Sequence, residues 1–178
     1  MQLRDGDLVL RPWTDEDVPA LVEACNDPEI PRWIPVIPSP YTEEDARAFV
    51  GGHSLSEPGY SVPEHSFAIT LAGALAGAIG LGVNSFGYRG RLGYWVAAPA
   101  RGSGVCTRAL RLVSRWGLEE LALQRLELIT DPENAASQRC AEKVGYRREG
   151  VLRAHLRHPD GRVRDSVMFS LLPGELVE

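Results

Sequence analysis

Apolar residues along the chain switch between a period of two and a period near 3.6, and the switches divide it into elements. Leu8-Val9-Leu10-Arg11 reads as a short strand. Thr14 follows as an N-cap with Asp17 three residues on, close to a capping box, and Val18, Leu21, Val22 and Cys25 recur at helical spacing. Thr42 and Asp45 repeat that signal ahead of a second helix, which fades after Gly51-Gly52. Between them, prolines at 28, 31, 35, 38 and 40 predict a segment without regular helix. Its Ile30, Trp33, Ile34, Val36 and Ile37 predict an ordered loop packed on the core or a ligand. Residues 65–71 and 75–86 read as strands around Ala72-Gly73, and Gly77, Gly80, Gly82 and Gly87 predict bulges or close backbone approach. A strand over 92–98 stops at Pro99, and a helix opens at Arg101-Gly102-Ser103-Gly104 with Leu110, Val113, Leu118 and Leu121 in its apolar stripe, ending near Leu123. A strand over 125–130, a helix over 135–144 closed by Gly145, and strands over 146–153 and 163–171 complete the pattern. The order predicts one α/β domain over residues 1–178 with a mixed sheet.

Composition narrows the class. The 178 residues are 44% hydrophobic and 24% charged, enough for a sizeable core, and no run of 18 apolar residues predicts a membrane span. The first residues lack the basic-then-apolar order of a secretion signal. Cys25, Cys106 and Cys140 are odd in number and form no CxxC pair, so they read as buried thiols of a cytoplasmic protein, not as a disulfide or metal framework. Charge is uneven: residues 1–86 carry 4 arginines against 13 acids, whereas residues 87–166 carry 15 Arg and Lys against 9 acids. The cationic half suits a polyphosphate ligand, while a pI near 5.4 argues against a general nucleic-acid binder.

That cationic half holds the strongest motif. In Gly93-Tyr94-Trp95-Val96-Ala97-Ala98-Pro99-Ala100-Arg101-Gly102-Ser103-Gly104-Val105-Cys106 a strand runs into a glycine turn that starts a helix. Glycines let backbone amides approach a phosphate, and the helix N-terminus adds a favourable dipole. Neither GxxxxGK[ST] nor GxGxxG fits, since no Lys follows and Thr107 stands where the latter needs glycine. The stretch Arg101–Cys106 resembles the pyrophosphate motif (Gln/Arg)-x-x-Gly-x-(Gly/Ala) of the GCN5-related N-acetyltransferases (GNAT), with Cys106 in place of the final small residue. Leu92–Val96, Asp131–Ser137 and Glu142–Gly150 resemble the rest of that family's acyl-CoA site. Leu10–Thr14 and Asp27-Pro28-Glu29 are similar to the start of its RimJ/RimL-like subgroup, so the resemblance covers about residues 8–172.

The resemblance implies a GNAT fold, a mixed, strongly twisted central sheet flanked by helices, and transfer of an acetyl group from acetyl-CoA to a primary amine in a ternary complex. It implies that backbone groups of Val96, Ala97 and Ala98 hold the acyl carbonyl and pantetheine. Amides of Gly102, Ser103, Gly104, Val105, Cys106 and Thr107 would cradle the pyrophosphate, with Arg101 at the turn. Asn134 would bond the pantetheine arm, and Ser137 would stand near the sulfur and protonate the departing thiolate. Both also fit plain helix capping. Trp33, Ile34 and Phe49 are candidates for the acceptor wall or, equally, core residues under the loop. A homodimer is in keeping with the family; neither a metal, a membrane nor nucleic acid is expected.

The departures concern the base. An alkylammonium with pKa ~10 must lose a proton before it attacks, while a protein α-amine at ~8 needs less help. Arg91 and Leu92 stand where relatives often carry glutamate, and residues 153–157 hold no carboxylate. His155 is the candidate base, against an ordinary strand histidine; His65 and Glu64 are weaker ones, and Asp165 reads as the partner of a nearby arginine. Arg89, Arg91, Arg153, Arg157, Arg162 and Arg164, if gathered at the acceptor groove, would favour an acyl group bearing a carboxylate, such as succinyl. Another alternative is a non-catalytic acyl-CoA-binding module on the same scaffold.

Overall fold

Strands β1 (Leu3–Asp5), β2 (Leu8–Arg11), β3 (His65–Leu71), β4 (Ala74–Val83), β5 (Arg89–Val96), β6 (Arg125–Thr130), β7 (Arg147–Arg157) and β8 (Val163–Leu171) form one sheet in the order β1-β2-β3-β4-β5-β6-β8-β7. The computed structural model describes residues 1–52, 65–157 and 160–177. Every neighbouring pair is antiparallel except β5 and β6, which run parallel. Helices α1 (Val18–Cys25), α2 (Glu29–Trp33) and α3 (Glu43–Val50) precede β3, α4 (Val105–Glu119) joins β5 to β6, and α5 (Ala135–Val144) joins β6 to β7.

Strand alternation sends side chains to two separate cores. Leu8, Leu10, Phe67, Ile69, Ile79, Leu81, Leu92, Leu126, Leu128 and Phe169 pack against Val105, Ala109, Leu110 and Val113 of α4 and Ala141 and Val144 of α5. On the other core, Ala78, Trp95 and Ala97 meet Val18, Leu21 and Cys25 of α1, Ile30 of α2 and Ala46 of α3. The ends of the first helices are set by side-chain bonds. Asp17 accepts the Thr14 amide at 2.9 Å and holds Arg11 at 2.7 Å through each oxygen, and that guanidinium pulls the Asp17 carboxyl below its ordinary range. Thr42 and Asp45 form a full capping box.

Three differences from the sequence pattern have local causes. The proline-rich segment contains one helical turn, α2, because Pro31 sits in its first turn, where a missing N–H removes no helical bond. β1 precedes the first predicted strand, reversed through Gly6 at φ 57°, a turn that Asp5-Gly6 signals. β7 runs on to Arg157 through an irregularity between Leu152 and Leu156, where Ala154 takes a φ of 51°. Among the predicted close approaches, Gly77 is the clearest: a Cβ there would fall on the Trp95 carbonyl.

Candidate functional site: a cleft between two splayed strands

β5 pairs with β6 only over Arg89–Leu92 against Arg125–Leu128. Beyond Leu92 the two part, and β6 continues with β8 alone through Ile129 and Thr130. Pairing parity decides which β5 groups face the opening. The Ala97 N–H bonds Ala76 O at 2.9 Å, so Ala97, Trp95 and Gly93 direct their backbone bonds to β4, and Tyr94 and Val96 direct theirs into the gap. Of the expected trio, Val96 therefore faces the cleft, Ala97 spends its amide on β4, and Ala98 begins a 3-10 turn over Ala98–Ala100.

At the wide end of the gap the chain makes the glycine turn. Gly102 and Gly104 have φ of 77° and 83°, the left-handed region that L side chains avoid, with open space where a Cβ would lie. The first backbone bond of α4 runs from the Arg108 N–H to Gly104 O at 3.1 Å, so the amides of residues 102–107 precede the helical ladder and stay available to a ligand. The turn is braced, in part by a bond that occupies the Val96 carbonyl at the edge of the gap. Arg101 Nε donates to Val96 O at 3.0 Å and its Nη2 pairs with Asp27 at 2.6 Å, and Ser103 Oγ donates to Ala100 O at 2.6 Å. This arrangement fits a pyrophosphate: free amides, a dipole end and no side chain in the way.

α5 supplies the other wall. Asn134 Oδ1 accepts the Ser137 N–H at 3.0 Å, the expected N-cap. The Ser137 hydroxyl lies 3.0 Å from the Tyr94 hydroxyl, across the gap from β5 to α5. Beside them the cysteines, scattered in sequence, converge: Cys106 Sγ lies 2.9 Å from Cys140 Sγ, and Thr107 Oγ1 donates to Cys140 at 3.6 Å. Hydrogen bonding and burial push the Cys106 thiol up, whereas the Cys106 and Thr107 bonds draw Cys140 down. Nothing in residue order signalled this pairing beyond Ser137 and Cys140 lying three apart, on one helix face.

A second opening, a solvent-facing cleft of about 580 Å³, adjoins this wall and is lined by Pro31, Arg32 and Trp33 of α2, Asp131–Glu133 after β6, and Arg162–Asp165 on β8 and its approach. Trp33 thus reaches the cleft, whereas Ile34 and Phe49 pack against the core between α1 and the sheet. His155 is exposed on β7 and contacts Ser166 Oγ at 3.1 Å; no hydrogen bond among the described residues ties it to Ser137 or the turn. His65 packs edge-on to Trp116, with burial lowering its pKa, and Glu64 lies outside the described residues.

Asp165 corrects an expectation: its Oδ1 accepts the Ala154 amide at 2.8 Å, satisfying the irregular stretch of β7, instead of pairing with an arginine. The six arginines also fail to form one anion site. Arg89 pairs with Glu127, Arg162 with Asp160 and Arg164 with Asp131, while Arg153 and Arg157 are exposed on β7. Three of the six charges are thus met by carboxylates, which weakens the case for a succinyl group.

The model of the family described as "Acetyltransferase (GNAT) domain" matches residues 7–147. YdaF of Bacillus subtilis (strain 168), named provisionally as a ribosomal N-acetyltransferase, is 33% identical over 104 residues, 58% of this chain; the chain spans about half of that protein, 56%. A provisionally named acetyltransferase from T. thermophilus superposes with a TM-score of 0.82 at 33% identity, over 98% of this chain and 90% of that one. Mycobacterium smegmatis RimJ, solved in complex with CoA-disulfide, superposes with a TM-score of 0.83 at 25% identity, over 100% of this chain and 88% of that one. On the family match and the superpositions, the chain belongs to the GNAT family, as a RimJ/RimL-like acyl-CoA-dependent N-acetyltransferase.

Proposed function

We propose that the chain acetylates the α-amine of a protein N-terminus by direct transfer from acetyl-CoA, with Ser137 serving the departing sulfur. The observation that carries this reading is the pair of openings on either side of the segment joining β6 to α5: the gap between β5 and β6, bordered by Ser137, for the donor, and a solvent-facing cleft lined in part by Asp131–Glu133 for the acceptor. The second is walled by three separate chain segments carrying both signs of charge, which suits an extended peptide better than one small cation. YdaF, named provisionally as a ribosomal N-acetyltransferase, points to a protein acceptor.

Acetyl-CoA supplies a thioester, a carbonyl activated toward amines. The chain's amides at 102–107 hold the pyrophosphate, and the Tyr94 and Val96 backbone groups line the arm's path. As the amine forms the C–N bond, the C–S bond breaks and its electron pair leaves on sulfur. Ser137 hands its hydroxyl proton to that sulfur and regains one from solvent, which also takes the proton shed by the new amide nitrogen. An α-amine at pKa ~8 is partly neutral at physiological pH, so this acceptor class asks little of a base.

Thiol release from acetyl-CoA tests the reading, using a short peptide with a free N-terminus, the same peptide with that end blocked, and a polyamine. Release with the free peptide alone supports it. Release with the polyamine alone makes the acceptor a small molecule, and no release with any of them, despite acetyl-CoA binding, favours the binding-module alternative.

A further inference from the structure

Catalysis of thiolate departure needs the Ser137 hydroxyl aimed at sulfur, and a serine side chain has three rotamers to choose among. Its backbone is fixed by the Asn134 cap, at 3.0 Å, but that bond does not set the hydroxyl. The group within reach of it is Tyr94, whose O–H also donates to the Ser137 carbonyl. Its hydroxyl lies 3.0 Å from Ser137 Oγ and 3.4 Å from Ser137 O, reaching α5 from the strand whose free backbone groups line the donor gap.

We propose that Tyr94 is a positioning residue for acyl transfer: its phenol donates to Ser137 Oγ, so that the serine's own proton points into the gap and its oxygen tolerates the negative charge that develops as that proton moves to sulfur. This rests on the role given above to Ser137. The family resemblance carries a role only for the backbone of the Gly93-Tyr94-Trp95 segment; the Tyr94 hydroxyl is given its task here from its contact with Ser137. A neutral phenol is needed for the task, and burial, with the two thiols nearby, pushes the Tyr94 pKa upward. Tyr94 itself gives up no proton: the bond that breaks is Ser137 O–H, the one that forms is S–H, and the phenol remains a hydrogen-bond donor throughout.

The test is a double-mutant cycle of Tyr94→Phe and Ser137→Ala. Thiol release from acetyl-CoA is read with the free-amine peptide and, needing no acceptor, with water in its place. Calorimetry of CoA binding accompanies each variant. Loss of one hydrogen bond predicts a kcat about 5- to 15-fold lower for Tyr94→Phe, with the KM for acetyl-CoA and CoA affinity within about twofold. Ser137→Ala should fall further, and the double variant should match Ser137→Ala, because the phenol has nothing left to aim. Tyr94→Phe at the parent rate, or penalties that multiply in the double variant, would overturn the proposal while leaving Ser137 in place. A drop in CoA affinity equal to the drop in rate would overturn it too, by making Tyr94 a packing residue. A parent-like Ser137→Ala would instead remove the role given to Ser137, and the present inference with it.

Discussion

Asn134 caps a helix with one side-chain atom and, in the proposed reading, holds the pantetheine arm with the other. Its carbonyl oxygen caps α5 through the Ser137 amide, and its amide nitrogen has no partner among the described residues, free to meet the pantetheine arm. The two duties separate by substitution. Asn134→Ala loses the cap and should cost about 1 kcal/mol in denaturant unfolding, whereas Asn134→Asp keeps an accepting oxygen and should hold nearly the parent stability. Both variants lose the NH2 donor, so both should bind acetyl-CoA more weakly by calorimetry, roughly 5- to 10-fold for one hydrogen bond. At this scale the sequence was informative where the backbone itself makes the site: glycines with positive φ at 102 and 104, and an Asn at a helix start, announce their geometry. It was silent on Tyr94 and on the Cys106–Cys140 approach, because those depend on how far α4 and α5 stand from β5, which no local pattern encodes.

Among the elements, β6, β7 and β8 are tied by charge on their more polar side. Glu127, 2% exposed, takes Arg125 Nε at 2.8 Å and Arg89 at 3.3 Å. The other face of Arg125 grips Glu149 at 2.7 and 2.6 Å, and Ser170 Oγ donates to the same carboxylate at 2.6 Å. Those bonds, Arg125 first, lower the Glu149 pKa from 4.5 to about 2. A depressed carboxylate adds stability that is fully present above its unfolded pKa and is lost as pH falls toward the folded one. Glu149→Gln should therefore destabilise the chain at neutral pH by about 1 kcal/mol or less, since the carboxylate is partly exposed and screened. The difference should shrink between pH 4.5 and about 2, read by urea unfolding across that window. The bounds of α5, β6 and β8 were legible because their periodicity follows directly from burial on one face, whereas α4 runs only from Val105 to Glu119, short of the end expected near Leu123. α2 was hidden because Pro31 counts as a breaker in a pattern search yet costs nothing in a first turn, and β1 because three residues are too few to show a period.

In the molecule as a whole, the N-terminal edge of the sheet is joined to the donor site across α4. Arg108, whose amide closes the first turn of that helix on Gly104, also holds the N-terminal hairpin: its Nε donates to Asp5 Oδ2 at 2.8 Å, and its Nη2 donates to Asp7 Oδ1 at 2.9 Å and to the Asp5 carbonyl. The glycine turn and the edge of the sheet are thus both held by one residue, the turn by its amide and the edge by its side chain, although about a hundred residues of chain separate them. Ordering the turn around a pyrophosphate restricts the opening of whatever Arg108 grips, so donor binding should be felt as slower amide hydrogen exchange at residues 3–10 as well as at residues 102–108. With Arg108→Ala the slowing should persist at the turn and vanish from the hairpin. Strands β1 and β2 would then act as a remote reporter of whether the coenzyme is in place, a signal written in exchange rates and not in any displacement of atoms.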